Sequence, residues 1–131
     1  MGANGASSGI ARNGKPYGTE YTTVYQSGNI KFLRYNGKSA TAPMETMTQG
    51  RVYVTLGGNG RPKYITFYDK RNRRFKQIDL EGRPHVIDGV ETLPHTHLGY
   101  NHDENGSREP TPAENKMVDR VRRTWQNRRR N

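Results

Sequence analysis

The stretch RVYVTLGGNGRPKYITFYDKRNRRFKQIDL, residues 51–80, decides the fold of this chain. It contains three segments rich in β-branched and aromatic residues, at 52–56, 64–68 and 74–80. Such segments favour β-strands, and the turn-forming sequences GGNG and DKRN between them favour tight reversals of the chain. The stretch therefore predicts a three-stranded antiparallel meander.

A second hairpin is predicted upstream of the meander. Residues 21–26 and 30–35 have strand-like composition, and the sequence SGN at 27–29 suits a hairpin turn. Downstream of the meander, residues 92–98 predict a short additional strand. The sheet is therefore expected to be antiparallel and built from these hairpins.

A short helix is predicted between the hairpin and the meander. Pro43 follows Thr41 at a suitable first helical position, and Met44 and Met47 stand three residues apart. The predicted helix covers residues 39–49 and ends at Gly50.

The C-terminal segment predicts an amphipathic helix. Thr111, Pro112 and Glu114 are spaced as the N-cap, the first helical residue and the carboxylate of a capping box. Apolar residues at spacings of four form a stripe that comprises Ala113, Met117, Val121 and Trp125, with Val118 beside it. A stripe of this width packs on one face of a sheet, so the predicted fold class is α+β, an antiparallel β-sheet with a C-terminal amphipathic helix packed on it.

The length of 131 residues predicts a single domain at 20–127. Residues 1–19 are small, polar and Gly-rich, and are expected to form a flexible leader, whereas 128–131 form a basic tail. No apolar run reaches the roughly 18 residues of a membrane span, and no signal-peptide core is visible. The absence of cysteine excludes disulfides, thiolate metal sites and cysteine nucleophiles.

The chain is strongly basic and is expected to bind polyanions. It has 22 Lys and Arg against 12 Asp and Glu, a formal net charge of +10. Cations interleaved with aromatic rings suit nucleic acid, because cations neutralise phosphates and rings stack on unpaired bases. The predicted interface comprises Lys63, Lys70, Arg71, Arg73, Arg74 and Lys76, interleaved with Tyr64, Tyr68 and Phe75, together with Arg122 and Arg123 of the helix.

All four histidines lie in one acidic window, and two of them form the motif Pro94-His95-Thr96-His97. In an extended strand His95 and His97 point to the same side. Two imidazoles there can act as a general acid/base pair without a cofactor, with His85 nearby. Alternatively they hold a divalent metal ion, and the remaining donors would come from His85, His102, Asp103 or Glu104. The acid/base interpretation is preferred here because the histidines match no fixed metal-ligand spacing.

The chain from about residue 21 to 125 resembles the C-terminal toxin domains of bacterial polymorphic toxins, which include contact-dependent inhibition and Rhs-type toxins and phage minor-head proteins. The segments that carry the resemblance are ATAPMETMTQGRVYVTL, YITFYDKRNRRFKQIDL, PHTHLGYNHDENG and TPAENKMVDRVRRTW. The resemblance implies export as part of a larger delivery polypeptide, action in the cytoplasm of a target cell, and inhibition by a cognate acidic immunity protein.

The resemblance extends to the metal-independent ribonucleases of the barnase, EndoU, colicin D and RelE group. By that resemblance, His95 and His97 are the acid/base pair and Lys76 or Arg74 is the phosphate cation. Thr92 or Tyr100 then supplies an orienting hydroxyl.

The predicted function is an endoribonuclease toxin that acts on tRNA or another structured RNA by attack of a 2′-hydroxyl on the adjacent phosphodiester. One alternative is a metal-dependent DNase or RNase that uses His95, His97, His102 and Asp103. The other is a basic nucleic-acid-binding module without catalytic activity.

Overall fold

The computed structural model describes residues 6–7, 20–81, 85–87, 90–100 and 105–128, with the backbone alone at 6–7, 85–87 and 90–92. In chain order the elements are β1 (Ala6–Ser7), β2 (Tyr21–Ser27), β3 (Ile30–Tyr35), β4 (Glu45–Thr46), β5 (Val52–Leu56), β6 (Pro62–Tyr68), β7 (Arg74–Asp79), β8 (His85–Ile87), β9 (Val90–Thr92), β10 (His95–Leu98), β11 (Ser107–Arg108) and α1 (Pro112–Gln126). In the described part of the chain, no helix is both long and apolar enough to cross a membrane.

Seven strands form the main sheet in the order β11-β10-β7-β6-β5-β3-β2. The predicted meander is confirmed as β5-β6-β7, and the predicted upstream hairpin is confirmed as β2-β3. One pairing differs from the prediction, because β3 and β5 run parallel. The parallel pairing arises because the chain between them, residues 36–51, crosses the sheet instead of reversing at its edge. The α+β fold class is confirmed.

The helix predicted over 39–49 is wrong. This segment is irregular and contains only the two-residue strand β4, which pairs with β1. Its backbone groups bond to the main sheet: Arg74 N donates to Met44 O at 2.7 Å, and Thr46 N donates to Asn72 O at 3.0 Å. These tertiary hydrogen bonds replace the ones that a helix would have formed within itself.

Two further predictions are modified by the structure. The strand predicted over 92–98 is interrupted at Leu93 and Pro94, so its residues belong to β9 and β10. Part of the predicted leader is ordered against the domain, since β1 pairs with β4, and the rest of residues 1–19 lies outside the described residues. Residues 129–131 of the predicted tail also lie outside them.

The C-terminal helix forms as predicted and packs on one face of the sheet. The Thr111 side chain accepts a hydrogen bond from Glu114 N, and the Glu114 carboxylate accepts one from Thr111 N, which completes the capping box. Val121 and Trp125 are buried, and the Trp125 ring stacks on Phe32 with a centroid distance of 5.0 Å. This face holds the main apolar core.

The opposite face of the sheet carries a smaller core that is rich in tyrosine. Tyr21, Leu33 and Tyr53 are fully buried there. The two tyrosine hydroxyl groups bond to the irregular segment 39–49 that covers this face: the Tyr21 hydroxyl donates to Thr41 O at 2.6 Å, and the Tyr53 hydroxyl shares a 2.8 Å hydrogen bond with Thr46. The sheet thus separates an apolar face under the helix from a polar face, which continues onto β7 and β10.

Candidate functional site

The candidate site lies where β10 pairs with β7 on the polar face of the sheet. In this antiparallel pairing His95 is opposite Asp79, and His97 is opposite Gln77. Because side chains alternate along a strand, these four residues project from one face. The prediction that His95 and His97 share a face is confirmed.

Three side chains converge to a single point in this site. The Nε2 atoms of His95 and His97 are 2.5 Å apart, and the Oδ2 atom of Asp79 lies 3.1 Å from His97 Nε2 and 3.6 Å from His95 Nε2. Only 1% of the His95 side chain and 4% of the His97 side chain are exposed, against 13% for Asp79. Access to the cluster from solvent is therefore on the Asp79 side.

The Asp79 carboxylate is oriented by a chain of hydrogen bonds along β7. Gln77 Nε2 donates to Asp79 Oδ1 at 2.7 Å, and Arg74 Nη1 donates to Gln77 Oε1 at 2.7 Å. A second nitrogen of Arg74 donates to the carbonyl oxygen of Tyr100. With Oδ1 held by Gln77, the other carboxylate oxygen of Asp79 is directed at the histidines.

The electrostatics of the site keep Asp79 ionised. Burial by itself would raise the pKa of the Asp79 carboxyl. Hydrogen bonds from His97 and Gln77, with the positive charge that the histidines can carry, outweigh burial and lower this pKa below its usual value. The site therefore presents an anionic oxygen beside two imidazole nitrogens at neutral pH.

This donor set could hold a metal ion. The three ligand atoms, two imidazole nitrogens and one carboxylate oxygen, all lie within 4.8 Å of one another. Such donors suit zinc, nickel, manganese or iron. In a tetrahedral zinc site the ligand atoms are roughly 3.3 Å apart. The two nitrogen–oxygen distances are close to that value, and the two Nε2 atoms would need to separate by a small rotation of the rings.

Asp79 was missed by the sequence analysis, which sought further metal ligands within the histidine-rich window. His102 and Asp103, two of the ligands proposed there, lie outside the described residues. The sequence feature that could have pointed to Asp79 as a site residue was its position near the end of a predicted strand. It becomes informative only when the pairing of β7 with β10 is known.

The structure does not bring Lys76 to the histidine pair. Lys76 projects from the other face of β7, where its Nζ atom lies 3.0 Å from Glu114 Oε2 on the helix. Its position follows from strand alternation, since its neighbour Gln77 faces the site. For His85 and Thr92 the structure describes only the backbone, in β8 and β9.

Tyr100 lies near the site without contacting the histidines through a described bond. Its hydroxyl donates to Glu45 Oε2 at 2.9 Å, and the Arg73 guanidinium lies 4.0 Å from its ring centroid. Arg73 and Arg74 therefore meet Tyr100 beside the histidine cluster. Of the predicted cations, Arg74 is linked to the site by its hydrogen bond to Gln77.

Lys63 lies on β6 with its Nζ atom 5.3 Å from the centroid of the Tyr64 ring. The other predicted cations are divided between two surfaces. Lys70 and Arg71 are exposed on the β6–β7 turn, which is at one end of the meander. Arg122 and Arg123 are exposed on the helix, on the other face, and Arg122 lies near the β5–β6 turn at the opposite end. The predicted interface is therefore not one continuous patch.

Comparison of the chain with protein-family models, with curated proteins and with solved structures finds no match in any of the three. Function is therefore inferred from the chemistry of Asp79, His95 and His97 and from the charges around them.

Proposed function

We propose that this chain is a metal-dependent nuclease domain in which Asp79, His95 and His97 bind a divalent transition-metal ion. The observation that carries the proposal is the convergence of one carboxylate oxygen and two imidazole nitrogens within 3.6 Å. This is the donor set of mixed histidine and carboxylate metal sites. The net charge of +10 supports a polyanionic substrate.

The separation of the two histidines favours metal binding over the acid/base pair preferred from the sequence. A general acid and a general base of phosphodiester cleavage act on different oxygens of the substrate, so the phosphate has to lie between them. The 2.5 Å between the two Nε2 atoms leaves no space for a phosphate. Two ligands of one ion also lie close together. A small rotation of the rings would bring these two nitrogens to the spacing that one ion requires.

The residues around the cluster have separate roles in this proposal. Held by Asp79, His95 and His97, a divalent cation would supply positive charge for a phosphoryl oxygen and would lower the pKa of a bound water. Asp79 is ionised at neutral pH and is oriented by Gln77, so its second carboxylate oxygen is available to the cation. Arg73, which is exposed and packs on the Tyr100 ring, contacts the phosphate backbone of the substrate at a distance from the cluster.

A second candidate is the metal-independent endoribonuclease predicted from the sequence. In its favour, the two imidazoles share one face and their Nε2 atoms lie at hydrogen-bond distance, as a pair that shares a proton requires. For either nuclease, a role as a polymorphic toxin, with an acidic immunity protein as inhibitor and a larger polypeptide for delivery, is supported by the sequence resemblance alone.

Metal titration and cleavage assays test the proposal together. The purified chain, stripped with EDTA and dialysed, is titrated with zinc or manganese and then incubated with labelled RNA and single-stranded DNA. We expect one ion per chain, cleavage that depends on the metal, and a loss of metal affinity of at least about 10-fold in Asp79→Asn. Asp119→Asn, which removes one exposed carboxylate from α1, is the matched control.

The outcomes separate the two candidates. Cleavage that survives excess EDTA and is lost in His97→Ala would support the metal-independent ribonuclease and contradict the metal proposal. Wild-type protein that neither binds metal nor cleaves nucleic acid would contradict both.

A further inference from the structure

A second site lies on the helix side of the sheet, in a groove of about 810 Å³ between the β5–β6 turn and the C-terminal end of α1. The side chains that decide its chemistry are Asn59, Arg61, Glu81, Arg122, Trp125 and Arg128. Three of these six are arginines. The groove is therefore suited to an anionic ligand.

The positive charge of the groove is only partly balanced. Glu81 is its one acidic residue, and Asn59 Nδ2 donates to its carboxylate at 3.2 Å. Arg61 and Arg122 are exposed, and their side chains form no ion pair or hydrogen bond with any residue that the structure describes. Their guanidinium groups are thus available to bind phosphate, for which the planar fork of arginine is well matched.

Arg128 packs over the Trp125 ring, and both residues line the groove. Its guanidinium carbon lies 3.5 Å from the centroid of the Trp125 ring, and one of its nitrogens donates to the Trp125 carbonyl oxygen. The Trp125 ring is fixed in turn by stacking on Phe32 and by a 3.2 Å hydrogen bond from Nε1 to Gly60 O. A guanidinium plane that is supported on one side can stack on a nucleobase with its other side.

The groove adjoins the candidate metal site along β7. Leu80 and Glu81 line the groove, and they directly follow Asp79 in the chain. Two residues of extended strand span about 6.6 Å, so the groove and the metal site lie at the same end of β7, on opposite faces of the sheet.

We infer that this groove binds a single-stranded segment of the nucleic-acid substrate, next to the bond that is cut. Arg61 and Arg122 bind its phosphates, and Arg128 stacks on a base. The inference rests on the proposed nuclease function and adds to it a preference for unpaired strands. An acidic protein would match the charges of the groove but would offer no base to Arg128.

Fluorescence anisotropy with a labelled single-stranded oligonucleotide of about 12 nucleotides tests the groove. EDTA is present throughout, so that binding is measured without cleavage. The variant Arg61→Gln/Arg122→Gln is expected to weaken binding at least about 10-fold and to reduce the slope of log affinity against log salt by about 1.4, or 0.7 for each phosphate contact. The control Arg34→Gln/Lys38→Gln removes the same charge from exposed residues outside the groove and should change binding less than about 2-fold.

A charge-conserving variant separates stacking from electrostatic attraction. Arg128→Lys keeps the positive charge and removes the guanidinium plane, and should weaken binding about 5-fold or more. Polyglutamate at equal charge concentration should displace the oligonucleotide poorly. Displacement by polyglutamate as effective as that by unlabelled oligonucleotide would assign the groove to acidic proteins and overturn the inference.

The outcomes for the groove and for the metal site are distinguishable. If both double variants weaken binding equally while the wild type cleaves nucleic acid with metal, the groove inference fails and the nuclease proposal stands. If binding depends on Arg61 and Arg122 but no metal supports cleavage, the groove is supported as a nucleic-acid site and the nuclease proposal fails.

Discussion

Asp79 and His97 are 18 residues apart in the chain, yet Asp79 Oδ2 lies 3.1 Å from His97 Nε2. The pairing of β7 with β10 brings them together, and Gln77 holds the carboxylate in the orientation that the contact requires. Because the Gln77 side chain bonds to Asp79 Oδ1 and is not one of the proposed ligands, its effect on the site can be separated from metal ligation itself.

Gln77→Met should reduce metal affinity by about 10- to 100-fold, as expected when the hydrogen bond that orients a ligand is removed. Methionine has nearly the same volume as glutamine but cannot donate to Asp79 Oδ1. Isothermal titration with zinc or manganese measures the loss. Gln26→Met, at an exposed position of β2, is the control. Equal metal affinity of Gln77→Met and wild type would show that Asp79 does not depend on Gln77.

Lys76→Met tests whether Lys76 contributes to catalysis or stabilises the packing of the helix on the sheet. Its ammonium group lies on the helix face, 3.0 Å from Glu114, so the variant should lose about 1 kcal/mol of unfolding free energy in urea. The rate of RNA or DNA cleavage should stay within about 3-fold of the wild type, whereas removal of a phosphate-binding cation from an active site costs about 100-fold. A loss of about 100-fold in the cleavage rate of a folded variant would support the prediction from the sequence that Lys76 is the phosphate-binding cation.

Local signals in the sequence were sufficient to predict most of the fold. The meander and the hairpin are defined by alternating residue types and by turn residues a few positions apart, and Gly28 at φ 60° occupies the turn that its sequence indicated. The capping box of α1 is equally local, because Thr111 and Glu114 bond to each other's backbone. These features need no knowledge of distant parts of the chain.

Features that depend on distant pairing could not be predicted in the same way. The segment 39–49 has residues compatible with a helix, but its backbone bonds to β7 and to the β6–β7 turn. Asp79 becomes part of the site only through its register with His95 in β10. For the histidines, the two-residue spacing predicted a shared face correctly, whereas their distance from each other depends on ring rotations that no spacing encodes.

The Glu114 carboxylate should make stability depend on pH. Burial alone would raise its pKa, but hydrogen bonds from Arg108, Thr111, Lys76 and Thr96 lower it well below the usual range. A carboxyl group whose pKa is lower in the folded state than in the unfolded state stabilises the fold above the unfolded pKa of about 4.3. This stabilisation is lost as the pH falls below that value towards the folded pKa.

Glu114→Gln should therefore lower the free energy of unfolding by about 1–3 kcal/mol near pH 7, and the difference from the wild type should shrink below about pH 4. Urea unfolding at several pH values measures it, and Asp119→Asn controls for the loss of one negative charge from α1. A difference between wild type and Glu114→Gln that stays constant down to about pH 3 would contradict the ion-pair explanation.

Trp125 should be the most costly single truncation of the helix. Its ring is 8% exposed and stacks on Phe32, and its indole nitrogen bonds to Gly60 O. Trp125→Ala should destabilise the fold by about 3–5 kcal/mol, which is a large part of the stability of a small domain. Met47→Ala, at a side chain that is 60% exposed, should change stability by less than about 0.5 kcal/mol. Thermal unfolding followed by circular dichroism compares the two variants, and similar melting temperatures would mean that the helix contributes little to the core.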